Sequence, residues 1–363
     1  MRSALGEPGR PFPVRWIIGL SLIFGGGICA GIVASLPAPY VIETPGPTWD
    51  VLGDTTVGDE TVQLISIPGA ETYATDGELR MLTVYATGPQ HLPSWFDVVQ
   101  AYFDPRRAIL PVDAVYQPDT TEEELAERAK VDMRNSQHAA IAAALDALGY
   151  DLDVELSVAG IDEGGPSDGI LQEGDIILAI DGISEFDDVD AMIDAIVAHG
   201  TDTPAELLIE RDGRQRTVEI TPTMGESGRP IIGIFVATEF EFPIDVDIQL
   251  ENVGGPSAGV MFALGIYDKL TPGSLTGGEI IAGTGTINAA GEVGAIGGIQ
   301  QKMWGALDAG AAWFLAPTAN CRSVVGHIPG GLEVVAVSTL DEAIDALEVI
   351  ATGGDTESLP SCS

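Results

Sequence analysis

The sequence predicts an α+β fold with a compact β-rich module near its centre and one membrane-spanning helix close to its N-terminus. Three observations carry this. Residues Trp16 to Leu36 form an uncharged apolar run; residues 151–223 hold strand, turn and hairpin signals in a closed order; short alternating stretches and capped amphipathic helices lie on both sides. With 363 residues, 45% of them apolar and 20% charged, the chain can bury more than one domain-sized core. Collagen-like, coiled-coil and wholly disordered readings are excluded. Sixteen basic residues against 55 acidic ones give a formal net charge of −39, which repels phosphate backbones and excludes nucleic acid as a partner.

After a short N-terminus, residues 1–15, the run WIIGLSLIFGGGICAGIVASL covers residues 16–36. As a helix its twenty-one residues reach about 31 Å, one hydrocarbon thickness. Arg2, Arg10 and Arg15 precede it with Glu7 as the sole acid, and no Lys or Arg follows until Arg80. The positive-inside rule then makes the chain single-pass in the cell membrane, with its N-terminus in the cytoplasm and the rest extracytoplasmic. A cleaved signal peptide, with small-residue sites near Ala34 and Ala38, is the competing reading. Cys29 lies within the run as a membrane-buried thiol, whereas Cys321 and Cys362 fall on the outer side. There a disulfide between them would pin the tail, residues 351–363, to the body; two free thiols are the other reading.

Between residues 37 and 150, the stretches Val62 to Ile67 and Leu79 to Tyr85 alternate as strands. Thr121 and Glu124 form a capping box, and an amphipathic helix follows as far as Gly149. Its Ala-rich part, MRNSQHAAIAAAL from Met133, predicts close packing against another element. The β-rich module then reads strand, GGPSDG turn, ILQEGDIILAIDG, a helix over Val189 to Ala198, and a hairpin made by ELLIERDG and RQRTVEITP. This order resembles a PDZ domain, on Leu171, Gly174, Asp175, Ile176, Ile177, Asp181 and Gly182. It departs from that pattern in lacking a clear carboxylate-binding loop.

The chemistry lies in residues 224–350. The strand-like DVDIQL is followed by ENVGGPSAG and the apolar helix VMFALGIYDKL. That turn puts Ser257 at a helix N-terminus, where it is either an N-cap or a nucleophile. A second segment, TGTINAAGEVGAIGGIQQKMWG, carries Lys302 at a helix start, one of only three lysines beside Lys130 and Lys269. Burial disfavours an ammonium, so a lysine in an apolar pocket can serve a serine as base, and no histidine is needed. The four histidines, His91, His138, His199 and His327, have no triad setting. No Cys/His pair has metal-ligand spacing, so no metal or cofactor is expected, and the glycines from Gly283 to Gly298 lack the dinucleotide-binding pattern.

GGPSAG, TGTI, and GGIQQK forty-five positions after the serine together resemble the proteolytic domain of the Lon family of Ser-Lys peptidases. The likeness runs from Pro243 to Leu347 and takes in the strand WFLAP and the helix STLDEAIDAL. The resemblance implies Ser257 as nucleophile, Lys302 as general base and Thr284 as the hydroxyl holding the lysine. Backbone N–H groups of Gly255, Ser257 and Ala258 would form the oxyanion hole. The layout resembles membrane-anchored Lon-like proteases in which a PDZ module interrupts the protease fold, residues 37–150 supplying its first part. Protein or peptide substrates and a hexameric ring follow by the same likeness. No G-x-x-x-x-G-K-[ST] loop occurs, so ATP is not an expected partner, and Gly254 stands where ATP-dependent Lon enzymes commonly carry an acid. The alternative from another class is an inert PDZ/Lon-like scaffold that tethers envelope proteins.

Overall fold

The structure, a computed structural model, describes residues 23–362 except 29–30, 59, 117–120, 151, 185, 187–188, 226–227 and 251–252. The chain divides into two compact units, one from Met1–Gly46 and Val84–Ala126, the other from Pro47–Thr83 and Glu127–Ser363.

In the first unit, strand β1 (Tyr40–Asp50) pairs antiparallel with β3 (Ala108–Pro111) over Tyr40 to Glu43. Helix α1 (Trp95–Tyr102) opens with a full capping box between Ser94 and Asp97, a helix the sequence reading did not single out. Among the described residues no helix is long and apolar enough to cross a membrane. The expected span Trp16–Leu36 reaches into residues 16–22 and 29–30, which lie outside the described residues; residues 23–28 and 31–34 are helical.

The second unit holds two cores. In the first, β2 (Glu78–Ala86), β9 (Ile280–Gly283), β10 (Trp313–Pro317) and β11 (Glu333–Val337) lie side by side in the order β11-β10-β9-β2, with parallel pairings. Strands IIAG, WFLAP and EVVAV read as continuous apolar runs because both faces are covered, as parallel strands require. Leu79, Met81, Ile281, Leu315 and Val335 point to one face, where they meet α2 (Glu122–Ala147), α4 (Gly259–Leu270) and α6 (Leu340–Ala351). Leu82, Ala282, Phe314 and Ala316 point to the other and meet Ile299, Met303 and Ala306 of α5 (Ile299–Asp308). The capping box at Thr121 and Glu124 is present, and the Ala-rich stretch of α2 buries Met133, Ser136 and Ala140 to Leu145. The expected strand over Val62 to Ile67 is split into Glu60–Gln63 and Ile65–Ser66, while DVDIQL keeps only Asp247–Ile248 as strand.

The second core belongs to the β-rich module, a sheet ordered β7-β6-β5-β4-β8 with antiparallel pairings. Its strands are β4 (Asp153–Ile161), β5 (Ile176–Ile180), β6 (Ala205–Arg211), β7 (Arg214–Ile220) and β8 (Ile234–Glu241), with α3 (Val189–His199) packed against them. Asp212 and Gly213, both at positive φ, make the tight turn of the β6–β7 hairpin. Asp175, 1% exposed, is held by the Arg211 guanidinium at 2.6 Å and by the Gln172 N–H at 2.8 Å. The sheet takes in strand β8, beyond the expected module boundary at residue 223. This strand pairs with β4 along its whole length, so the sheet reaches Glu241.

Cys321 and Cys362 are joined by a disulfide. The tail adds a backbone hydrogen bond from Ala336 N–H to Pro360 O at 2.8 Å, and Cys362 packs on the Phe314 core.

Candidate active site

Three side chains meet where the two faces of the parallel sheet come together, beyond the carboxyl end of β9. Lys302, on α5, places Nζ 2.6 Å from Ser257 Oγ and 2.9 Å from Thr284 Oγ1. Lys302 is 3% exposed and Thr284 fully buried, so the amine sits in a site that disfavours its charged form. Ser257 remains half-buried, open enough for attack on a bound chain.

Each of the three is fixed by its own segment. Ser257 stands in the turn before α4, whose N-cap is Ala258 with no side-chain cap bond. The capping alternative for Ser257 is thereby removed, since its hydroxyl faces the lysine instead. Thr284 follows directly on β9; its N–H donates to Leu315 O and its hydroxyl donates to Ser257 O at 2.9 Å. Gly285 N–H donates to the same carbonyl at 2.9 Å. Lys302 is on the first turn of α5, which starts from Gly298 in the left-handed region, φ 66°.

With its proton committed to the Ser257 carbonyl, the Thr284 hydroxyl can only accept from Lys302. Lys302 Nζ therefore donates to Thr284 Oγ1 while it lies 2.6 Å from Ser257 Oγ. Hydroxyl, amine and threonine form one hydrogen-bonded relay.

The expected oxyanion donors divide. Gly255 N–H donates to Ala129 O at 2.9 Å and is not available, because α2 lies against this turn. Among the described residues no acceptor takes the N–H of Ser257 or Ala258, which stand at the α4 N-terminus where the helix dipole favours an anion.

Residues that sequence reasoning missed lie on α2. Ser136 donates its hydroxyl to Pro256 O at 2.9 Å, bracing the turn from across 120 positions. At Gly254 a Cβ would stand 2.5 Å from the Ala129 Cβ and 3.2 Å from its carbonyl oxygen, so no side chain fits where an acid was the family expectation. For Ser136 the signal was the small-residue stretch MRNSQHAAIAAAL, which announced a close contact without naming its partner; Ala129 lies ahead of that stretch. Two of the glycines in the string from Gly283 stand in close packing: a Cβ at Gly283 would meet Met261 Sδ, and one at Gly285 would meet Val293. A cleft of about 600 Å³ opens beside Pro256, bounded by Ser136, Ile287 and Ala289 and, on β8, by Val236 and Phe240.

Of the histidines, His138 lines the cleft beside Pro256. His199 ends α3, bound to Asp181 at 2.6 Å, its pKa raised by the Thr203 carbonyl and then by the Asp181 carboxylate. His138 sits edge-on to Phe242, and His91 pairs with Glu122. Among the described residues no group of His, Cys, Asp and Glu is arranged to hold a metal.

The site lies in a stretch similar to the proteolytic domain of Lon proteases, and the β-rich module in one similar to PDZ domains. Residues 251–349 match the Lon protease (S16) C-terminal proteolytic domain, and residues 131–221 match the PDZ domain. Among curated relatives, Lon protease 2 of Bacillus subtilis (strain 168) is 33% identical over 112 residues, 30% of this chain and 20% of its own length. Lon protease 2 of Herpetosiphon aurantiacus is 35% identical over 108 residues, 28% of this chain and 13% of its own length. The chain thus spans a fifth or less of these two proteins. The solved PDZ domain of an SdrC-like protein from Listeria innocua is 29% identical, with 23% of this chain and 92% of that one covered at a TM-score of 0.21.

Proposed function

We propose that this chain is a membrane-anchored, ATP-independent serine endopeptidase that cleaves extracytoplasmic proteins with a Ser257–Lys302 dyad. The observation carrying the reading is the 2.6 Å approach of a 3% exposed lysine amine to a serine hydroxyl. Neutral Lys302 takes the Ser257 proton as Oγ attacks a peptide carbonyl. The N–H groups of Ser257 and Ala258 receive the oxyanion, each such donor being worth about 3–4 kcal/mol. Lys302 then protonates the leaving amine and later deprotonates the water that releases the ester.

Anchoring rests on the uncharged run 16–36 and its arginine-flanked start, and the outer location is supported by the Cys321–Cys362 disulfide, a bond that persists in oxidising compartments. The PDZ module offers an edge strand, β8, whose Val236 and Phe240 line the cleft beside Pro256. An unfolded substrate added to that edge as an extra strand would be led toward Ser257, which fits a recruiting role.

The test is cleavage of an unstructured protein without ATP. The native chain should cut it, and Ser257→Ala and Lys302→Ala should each abolish cutting while melting as the native chain does. Undiminished cleavage by either variant would sink the dyad.

A further inference from the structure

We propose that helix α1 lies on the lipid surface, a second membrane contact beside the proposed anchor on which this inference rests. The helix is inverted with respect to its own unit. It buries Ala101 and tucks Asp97 and Val98 inward, while Trp95, Phe96, Val99 and Tyr102, with Phe103 just beyond its end, are exposed. Those five residues fall within an arc of about 120° at 100° per residue, one continuous apolar stripe. Tyr102 and Phe103 are 77% and 79% exposed, the largest values among the described aromatic side chains. A water-facing helix would show the opposite arrangement.

What covers this stripe is indicated by where the helix is tied. Trp95 N–H donates to Leu36 O at 3.1 Å, Ala38 N–H donates to Pro93 O at 2.8 Å, and Pro37 and Ser94 form an isolated bridge. Leu36 is the last residue of the uncharged run, so the start of α1 is bonded to the point where a membrane-spanning segment would leave the bilayer. The composition suits that depth. Trp, Tyr and Phe are residues that settle at the headgroup boundary, and the only acid on the helix, Asp97, is engaged by the Ser94 N–H and hydroxyl at its cap. Arg106 and Arg107 follow, exposed and of the sign that lipid phosphates attract. The consequence is orientation: two attachments, one through the bilayer and one along it, fix the unit that carries them against the membrane surface.

The test uses the full chain in phosphatidylcholine vesicles doped with a carbene-generating lipid whose reactive group sits in the acyl chain, followed by peptide mapping. The expected result is labelling in residues 16–36 and also in residues 95–103, several-fold above α6 as a solvent-facing control. A triple variant, Phe96→Glu with Tyr102→Glu and Phe103→Glu, should lose the second labelling and keep the first. Labelling of 16–36 without 95–103 overturns this inference and leaves the anchor standing. Absence of labelling in both overturns the two together.

Discussion

Replacing Thr284 with valine keeps the shape of a fully buried side chain and removes one hydroxyl. Two hydrogen bonds disappear, the one Lys302 donates at 2.9 Å and the one Thr284 donates to Ser257 O at 2.9 Å. Their losses are unequal. The Ser257 carbonyl keeps Gly285 N–H at 2.9 Å, so the turn before α4 stays satisfied on that side. The lysine keeps Ser257 Oγ at 2.6 Å but loses the Thr284 acceptor, and a buried N–H deprived of its partner costs about 1–3 kcal/mol. If most of that appears in the transition state, kcat falls roughly 10- to 100-fold, since about 1.4 kcal/mol is a factor of ten. The assay is kcat and KM on a fluorogenic peptide, with Thr284→Ser as the companion that restores the hydroxyl. The reasoning predicts a kcat loss in the valine variant, little change in KM and recovery in the serine variant. An unchanged kcat in Thr284→Val, or a loss that serine does not restore, would refute the relay.

Three further outcomes follow from the same geometry. Ser136→Ala removes the bond to Pro256 O and should lower kcat by a factor of several, about 1 kcal/mol, without altering the pH profile, as read in parallel rate and melting curves. Cys321→Ala opens the link to Cys362 across 41 positions, a loop whose closure is worth about 4 kcal/mol in chain entropy; melting should drop, and dithiothreitol should produce the same drop in the native chain and none in the variant. Asp175→Asn strips the buried partner from Arg211 and should destabilise the PDZ module by about 3–5 kcal/mol in urea unfolding. For Asp175, burial pushes the carboxyl pKa up, but the Arg211 guanidinium and the Gln172 N–H outweigh it and hold it below the ordinary value. Its folded pKa is therefore below its unfolded one. The stability it brings is present above the unfolded value and disappears as pH falls through the folded one, a limb the asparagine variant should lack.

The parts of this account legible in the sequence are those whose chemistry is local. GGPSAG, TGTI and GGIQQK each fix one functional group at the end of one element, and the resemblance supplied their meeting. The PDZ module was readable because its Asp175, its hairpin turn and its helix all fall within about seventy residues in order. What was hidden depends on distant packing. That Gly255 N–H is occupied, that Gly254 has no room, and that Ser136 braces the turn all come from α2, more than a hundred positions earlier. The pairing of Ile234–Glu241 with Asp153–Ile161 joins segments more than seventy positions apart, which no local pattern announces. Helix α1 was passed over because its apolar face and cap look like those of any buried helix; only exposure shows that it is turned outward.

The proposed dyad requires Lys302 to act as a neutral amine toward Ser257. The most direct measurement is the rate at which a serine-directed acylating probe modifies Ser257 as a function of pH, read by intact-mass spectrometry in the native chain and in Lys302→Arg. The native rate should climb with pH along a single ionisation and the arginine variant should be barely acylated, because a guanidinium does not give up its proton in this range. A native rate that is flat between about pH 6 and 9, or an arginine variant acylated as fast as the native chain, would contradict the dyad.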